Sequence, residues 1–245
     1  MIDIKTMKFL QEIKDSNYLE LKSNLLFHSN KIEGSTFDFI ELTRLLNHNT
    51  VSGEHDYEDV IETKNSNELF DFTIKTLGEP VTHQYVREMN QLLKRGTRQG
   101  LNGLTGVYKT LPNAVGRVEV AQPYEVPGLM DELLSREVST FEDIVKFHHD
   151  FEKIHPFVDG NGRVGRMIMM KQCIENDIVI PLLNSSNDLD YYDALQVADT
   201  GDFNKLNDLF KQFQDEMKEL KCYQTIDEFD YSIAYNYKNR EMELE

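Results

Sequence analysis

The sequence predicts a mostly α-helical protein with one short β-hairpin, placed as a flap rather than as a sheet core. Three observations carry this. Apolar residues recur at helical spacing along most of the chain: Phe141, Ile144, Val145, His148, Phe151 and Ile154 share one face, as do Leu206, Leu209, Phe210, Phe213, Met217 and Leu220. Only one stretch reads as strand, with Val115, Val118 and Val120 inside 113–121 and Pro112 and Pro123 on either side. The 245 residues, 40% hydrophobic and 28% charged, are enough to bury a core without disulfides or a structural metal.

Taken in order, helices are expected near 5–15 and 18–32. A third, near 36–48, carries Phe39, Leu42 and Leu46, with Ser35 or Thr36 as its cap. A long helix near 57–77 stops at Gly78 and Pro80, and the next, near 82–95, presents Val86, Met89 and Leu93. The glycine-rich stretch 95–103 reads as a surface loop, followed by the hairpin. Helices near 127–135, 141–154, 162–176, 189–199 and 203–221 follow, with one more from 225 onward. The expected organisation is an N-terminal helical region over 1–60, a core over 61–221 and a helical tail over 222–245.

Charge narrows the function. The balance of 26 Lys and Arg against 43 Asp and Glu leaves a net charge of −17, a field that repels phosphate backbones and anionic lipid. Nucleic acid and membrane are therefore excluded as partners, while a local basic pocket for a nucleotide is not. Cys173 and Cys222 lack metal-ligand spacing and read as reduced thiols. The N-terminus has no apolar signal core, and no stretch approaches a membrane span, so a cytoplasmic location is expected. His28, His48, His55, His83, His148 and His149 share no metal-ligand pattern, and His148 falls on an apolar face.

Chemistry concentrates in residues 155–166, His-Pro-Phe-Val-Asp-Gly-Asn-Gly-Arg-Val-Gly-Arg, which follow one apolar helix and open the next. Gly160, Asn161 and Gly162 allow main-chain N–H groups to converge on an anion at a helix N-terminus. Arg163 and Arg166 lie three apart on that helix and add charge-assisted donors for phosphate. Asp159 is a hard oxygen ligand of the kind Mg²⁺ needs beside phosphates. His155 alone in the segment titrates near neutral pH and serves as a proton acceptor.

This segment resembles the signature of the Fic (filamentation induced by cAMP) family, His-Pro-Phe-x-Asp/Glu-Gly-Asn-Gly-Arg-x-x-Arg, at every specified position. The resemblance covers roughly 24–215. It implies a Fic-type helical fold and a protein adenylyltransferase that moves AMP from ATP to a Ser, Thr or Tyr hydroxyl of a protein, with Mg²⁺ as cofactor. On that reading His155 takes the hydroxyl proton, Asp159 holds Mg²⁺, and 160–166, including Val164 and Gly165, bind the nucleotide. Gly106-Val107-Tyr108-Lys109 and the hairpin resemble the family's flap, so Val115, Gly116, Arg117 and Val118 are expected over the nucleotide. The family commonly has Arg where Lys109 stands and Gly where Arg117 stands. Tyr191 and Tyr192 resemble its adenosine-contacting pair.

Ser29-Asn30-Lys31-Ile32-Glu33-Gly34 resembles the family's inhibitory motif. Ser29 and Glu33 are one helical turn apart and Gly34 ends the turn. If the helix docks on the site, Glu33 pairs with Arg166 and withholds it from the γ-phosphate. The resemblance also allows self-modification, removal of AMP by a bifunctional enzyme, phosphotransfer, and a homodimer. A non-catalytic nucleotide-binding adaptor is the reading from a different class, and the intact His155 speaks against it.

Overall fold

The structure, a computed structural model, describes residues 2–115 and 118–229, with 114, 115, 118 and 119 described by their backbone alone. Its elements in chain order are α1 (Ile4–Ile13), α2 (Ser16–Ile32), α3 (Phe39–His48), α4 (Tyr57–Lys75), α5 (His83–Leu93), α6 (Arg98–Leu101), β1 (Ala114–Val115), β2 (Val118–Glu119), α7 (Val126–Leu134), α8 (Phe141–Ile154), α9 (Asn161–Glu175), α10 (Asp188–Ala198), α11 (Asn204–Glu219) and α12 (Lys221–Asp227). The protein is mostly helical, and α8 spans the residues its periodicity predicts.

The remaining helices agree with expectation to within a few residues, and the departures have local causes. The cap of α3 is Asp38, not Ser35 or Thr36: its carboxylate accepts from Glu41 N while Glu41 returns a bond to the Asp38 N–H. Thr36 is used elsewhere, donating from its N–H and its hydroxyl to Asp59, each at 2.7 Å. The expected loop 95–103 contains the one-turn helix α6, capped by Thr97. The last helix starts at Lys221 rather than near 225, because Leu220 breaks α11 with extended backbone. Ala114 and Val115 pair antiparallel with Glu119 and Val118. Gly116 and Arg117 lie outside the described residues, so the hairpin's expected role as a flap is not tested by this geometry.

The core forms around α9. Residues 161–174 of that helix are all buried, as expected of a helix surrounded by others. α8 lies along it, while α4, α5 and α2 also pack on it. One apolar cluster runs from Ile2 through Phe70, Met89, Phe151, Ile168 and Phe210 to Ile226, with a satellite of Phe37, Leu42 and Leu45 beneath α3. The polar side chains of α9 therefore need partners inside the protein. Lys171, fully buried, donates to the Thr76 carbonyl at the end of α4 (2.8 Å) and to Glu175 (2.5 Å). Cys173 and Cys222 are free and buried. Among the described residues no helix is long and apolar enough to cross a membrane.

Candidate active site

Where α8 ends, the chain turns through His155 in the left-handed conformation (φ 48°, ψ 61°) and continues into α9. A histidine held there is strained, so surrounding contacts must fix it. Phe157 anchors the turn: it is fully buried and packs on Tyr108 at 5.6 Å between ring centres. Three carbonyls of the turn are gripped by the segment leading into the hairpin. Lys109 N donates to the Pro156 carbonyl (2.8 Å), Lys109 Nζ to the Ile154 carbonyl (3.3 Å), and Asn113 Nδ2 to the Phe157 carbonyl (2.9 Å). Lys109 Nζ also donates to Asn113 Oδ1 at 2.7 Å.

Gly160 caps α9 with φ 81°, and a side chain there would press on Leu93 Cδ2 at 3.0 Å. It is the only left-handed residue in the Gly-Asn-Gly run, because Asn161 and Gly162 are already helical. The first bond of the helix is Val164 N to the Gly160 carbonyl (3.1 Å). The N–H groups of Asn161, Gly162 and Arg163 precede it, as an anion site at a helix N-terminus requires. Asn161 contributes main chain only, since its side chain bonds Phe157 N (2.8 Å) and the Phe157 carbonyl (3.0 Å).

Burial pushes the His155 imidazole down to about 4; the Lys109 ammonium acts in the same direction, and the Glu152 carbonyl, Glu33 and Asp159 oppose it. The ring is therefore neutral at pH 7, the form a proton acceptor needs. Asp159 Oδ1 accepts from the Gly160 N–H (2.6 Å), and Oδ2 from Lys94 Nζ (2.6 Å). Burial alone would raise its carboxyl, but Lys94 and Arg163 outweigh that and hold it below the usual range. The side chain remains 41% exposed.

Each arginine of the segment meets a carboxylate from another helix. Arg163 Nη1 lies 2.6 Å from Glu62 on α4, which also pairs with the buried Lys94. Arg166, 4% exposed, donates from Nη2 to Glu33 Oε1 (2.7 Å) and the Ser29 carbonyl (3.0 Å), and from Nε to Ser29 Oγ (2.9 Å). Burial disfavours both charges, yet Arg166 and Arg163 hold the Glu33 carboxyl below its ordinary value, and Glu33 keeps Arg166 firmly protonated. Glu33 forms the C-cap of α2, and Gly34 follows with φ 87°.

The expected nucleotide contacts differ in exposure. Val164 is fully buried in the core, and Gly165 is where α9 meets α8, a side chain there falling 2.8 Å from Glu152 Oε1 and 3.0 Å from Phe151 Cδ1. Both positions pack against neighbouring helices. Tyr191 is likewise a core residue, 2% exposed, its hydroxyl 2.7 Å from His148 Nε2. Tyr192 is 42% exposed and feels the fields of Glu33 and Arg166. The side chains of Val115 and Val118 are not described.

The motif does not announce its supports. Asn90 on α5 donates to the Asp159 carbonyl (2.9 Å) and accepts from Gly106 N (3.0 Å), so it ties α5, the loop and the lead-in together. With Lys94 and Glu62 it forms the platform under the start of α9. An amide on the apolar stripe of Val86, Met89 and Leu93 is a signal for Asn90; Glu62 and Lys94 carry none. Beside Glu33, Glu62 and Arg163 lies an open cleft of about 590 Å³, also lined by Asn30, Asp59 and Arg98 and of a size that holds small ligands.

Among the described residues no three His, Cys, Asp or Glu groups form a metal cage. Asp159, a partly exposed single carboxylate beside three main-chain N–H groups, fits a cation shared with a ligand's phosphates instead.

Residues 80–173 match the sequence model of the Fic/DOC family. A probable protein adenylyltransferase of Aquifex aeolicus (strain VF5) is 41% identical over 86 residues, which are 32% of this chain and 26% of that relative's length. A Fic domain-containing signaling protein from Bacteroides thetaiotaomicron VPI-5482 superposes with a TM-score of 0.68 over 91% of this chain and 95% of that one, at 20% identity. Residues 134–508 of Fic-1 from C. elegans superpose with a TM-score of 0.70 over 94% of this chain and 66% of that one, at 18% identity. These likenesses show the same fold, and the family model covers the segment that carries His155, Asp159 and both arginines. Residues 80–173, around the junction of α8 and α9, therefore carry the sequence pattern of the Fic/DOC family on a fold shared with Fic-domain proteins.

Proposed function

We propose that the protein transfers AMP from ATP to a hydroxyl side chain of a protein and is restrained by its own Glu33. The observation that carries this is the convergence of a neutral His155, the free N–H groups at the start of α9, Asp159 and Arg166 in one segment, with a carboxylate already on Arg166. The target hydroxyl oxygen bonds to the α-phosphorus, the bond to the bridging oxygen breaks, and pyrophosphate leaves. His155 accepts the hydroxyl proton. Catalysis of this kind rests on positioning and charge neutralisation.

Asp159 would hold Mg²⁺, which when bound supplies charge neutralisation to the phosphates. The N–H groups of Asn161, Gly162 and Arg163 orient the phosphate chain, and Arg166 meets its far end. The hairpin lies over the nucleotide on this reading, with Tyr192 toward the adenosine. Glu33 occupies the guanidinium the γ-phosphate needs and repels that phosphate, so ATP binds with its α-phosphorus out of line.

Labelled ATP tests the reaction. Glu33→Gly protein with Mg²⁺, cell extract and ATP labelled at the α-phosphate is expected to label protein, and Glu33→Gly with His155→Ala is expected not to. Label passing from the γ-phosphate instead would identify a phosphotransferase. Undiminished α-label with His155→Ala would remove the imidazole from the chemistry.

A further inference from the structure

Among the described residues of the lead-in and hairpin entry, Lys109 and Asn113 hydrogen-bond the carbonyls of the His155 turn, and Lys109 is the cation of the two. It is 3% exposed, yet among the described residues its side chain meets no carboxylate: Nζ donates to the Ile154 carbonyl and to Asn113 Oδ1. Its main chain holds the next carbonyl but one, that of Pro156, and Asn113 holds Phe157. The carbonyls before and after the left-handed His155 are thus fixed by one residue, and the third by that residue's own hydrogen-bond partner. A buried lysine without a paired carboxylate is costly, and burial lowers its ammonium to about 8. Structural lysines elsewhere here are paired with acids: Lys22 with Asp71, Lys94 with Glu62 and Asp159, Lys171 with Glu175.

We propose that Lys109 is a positioning residue for the proposed base, fixing the His155 turn through the Ile154 and Pro156 carbonyls and setting the charge that the imidazole faces. The groups around that imidazole are Lys109 from the lead-in, Glu152 on α8 through its main chain, Glu33 from α2 and Asp159 from the motif loop. Lys109 is the one cation in that set and opposes protonation of the ring, while the two carboxylates favour it. Its charge is present at pH 7, because even its lowered value lies near 8. The turn and the protonation state of His155 are thereby controlled from one residue, outside the 155–166 segment.

The kinetic arm of the test rests on AMP transfer, and the titration arm does not. In the Glu33→Gly background, Lys109→Met is expected to lower kcat about tenfold or more while KM for ATP stays within about twofold, the pattern of a lost positioning contact. Lys109→Arg, which keeps a cation and its donors, is expected to restore most of that loss. With ring-labelled histidine, the His155 imidazole followed by NMR from about pH 8.5 down to about pH 4 is expected to protonate at a higher pH in Lys109→Met than in the parent or Lys109→Arg. An unmoved His155 titration in folded Lys109→Met, or a loss confined to KM, would overturn the proposal. Asn113→Ala removes the grip on Phe157 and leaves the charge, so lower kcat with an unmoved titration is expected, and full activity contradicts the positioning role. That variant carries the test if Lys109→Met does not fold. A shifted titration with no AMP transfer by any variant would count against the transfer reading and leave Lys109's role standing.

Discussion

A hydrogen in place of a side chain at position 162 is what lets Glu33 reach Arg166. A methyl group there would fall 2.3 Å from Glu33 Oε1 and 2.9 Å from Arg166 Nη1, so the carboxylate would have to move. Gly162→Ala is expected to destabilise by about 1–3 kcal/mol, as overpacking does. Most of that cost should vanish once Glu33 is absent. A double-mutant cycle of Gly162→Ala and Glu33→Gly, measured by urea unfolding, is expected to show a coupling of at least about 0.5 kcal/mol, and additive effects would refute the contact. The residue types in this site are legible in the sequence, because a base, a carboxylate, glycines and two arginines fall within twelve positions. The partners are not. Glu62, Lys94 and Asn113 lie far along the chain from the groups they hold, and nothing local marks them. Tyr191 and Val164 are buried in the core, a placement that adjacency to a motif does not reveal, since it says nothing about which face of a helix points inward.

At the scale of elements, α2 carries the restraint that the proposed function assigns to Glu33. Its end points carbonyl groups and a cap carboxylate at a buried guanidinium, so Arg166 meets both the partial negative charge of a helix C-terminus and the full charge of Glu33. Ser29 adds the bond to Nε, the third contact from one helical turn. Ser29→Ala is expected to lower stability by about 1 kcal/mol. Basal AMP transfer is expected to rise with it, by less than in Glu33→Gly, because the carboxylate remains. Lower stability with unchanged or reduced transfer would show that Ser29 only supports the fold. The Ser-to-Glu spacing and Gly34 mark this turn in sequence; the docking of α2 on α9 depends on packing between residues more than a hundred positions apart, which periodicity does not reveal. For the same reason α8 is readable from its stripe, whereas α9, buried all round, shows little amphipathic signal of its own.

At the scale of the whole molecule, burial of titratable groups around α8 and α9 sets the pH range of stability. His148 and His155 are lowered by burial to about 3 and about 4. The unfolded chain binds their protons more tightly, so stability rises with pH up to about 6.5. Glu152 is raised by burial to about 7. There the folded state binds the proton more tightly than the unfolded chain, so this contribution is full below pH 4.5 and is lost as pH rises through 7. A maximum in Tm near pH 6 to 7 is expected by scanning calorimetry. Glu152→Gln should raise Tm relative to the parent more at about pH 8.5 than at about pH 5.5, and an equal difference at both values would contradict the assignment.

The restraint by Glu33 is measured most directly by one ratio, the initial rate of α-phosphate transfer to protein by Glu33→Gly over that by the unaltered chain, at saturating MgATP and in the same extract. A ratio of about ten or more, with Glu33→Gly and His155→Ala together silent, is expected if one molecule in ten or fewer is competent while Glu33 holds Arg166. A ratio near one, with both proteins labelling their target, would mean that the contact between α2 and Arg166 restrains nothing.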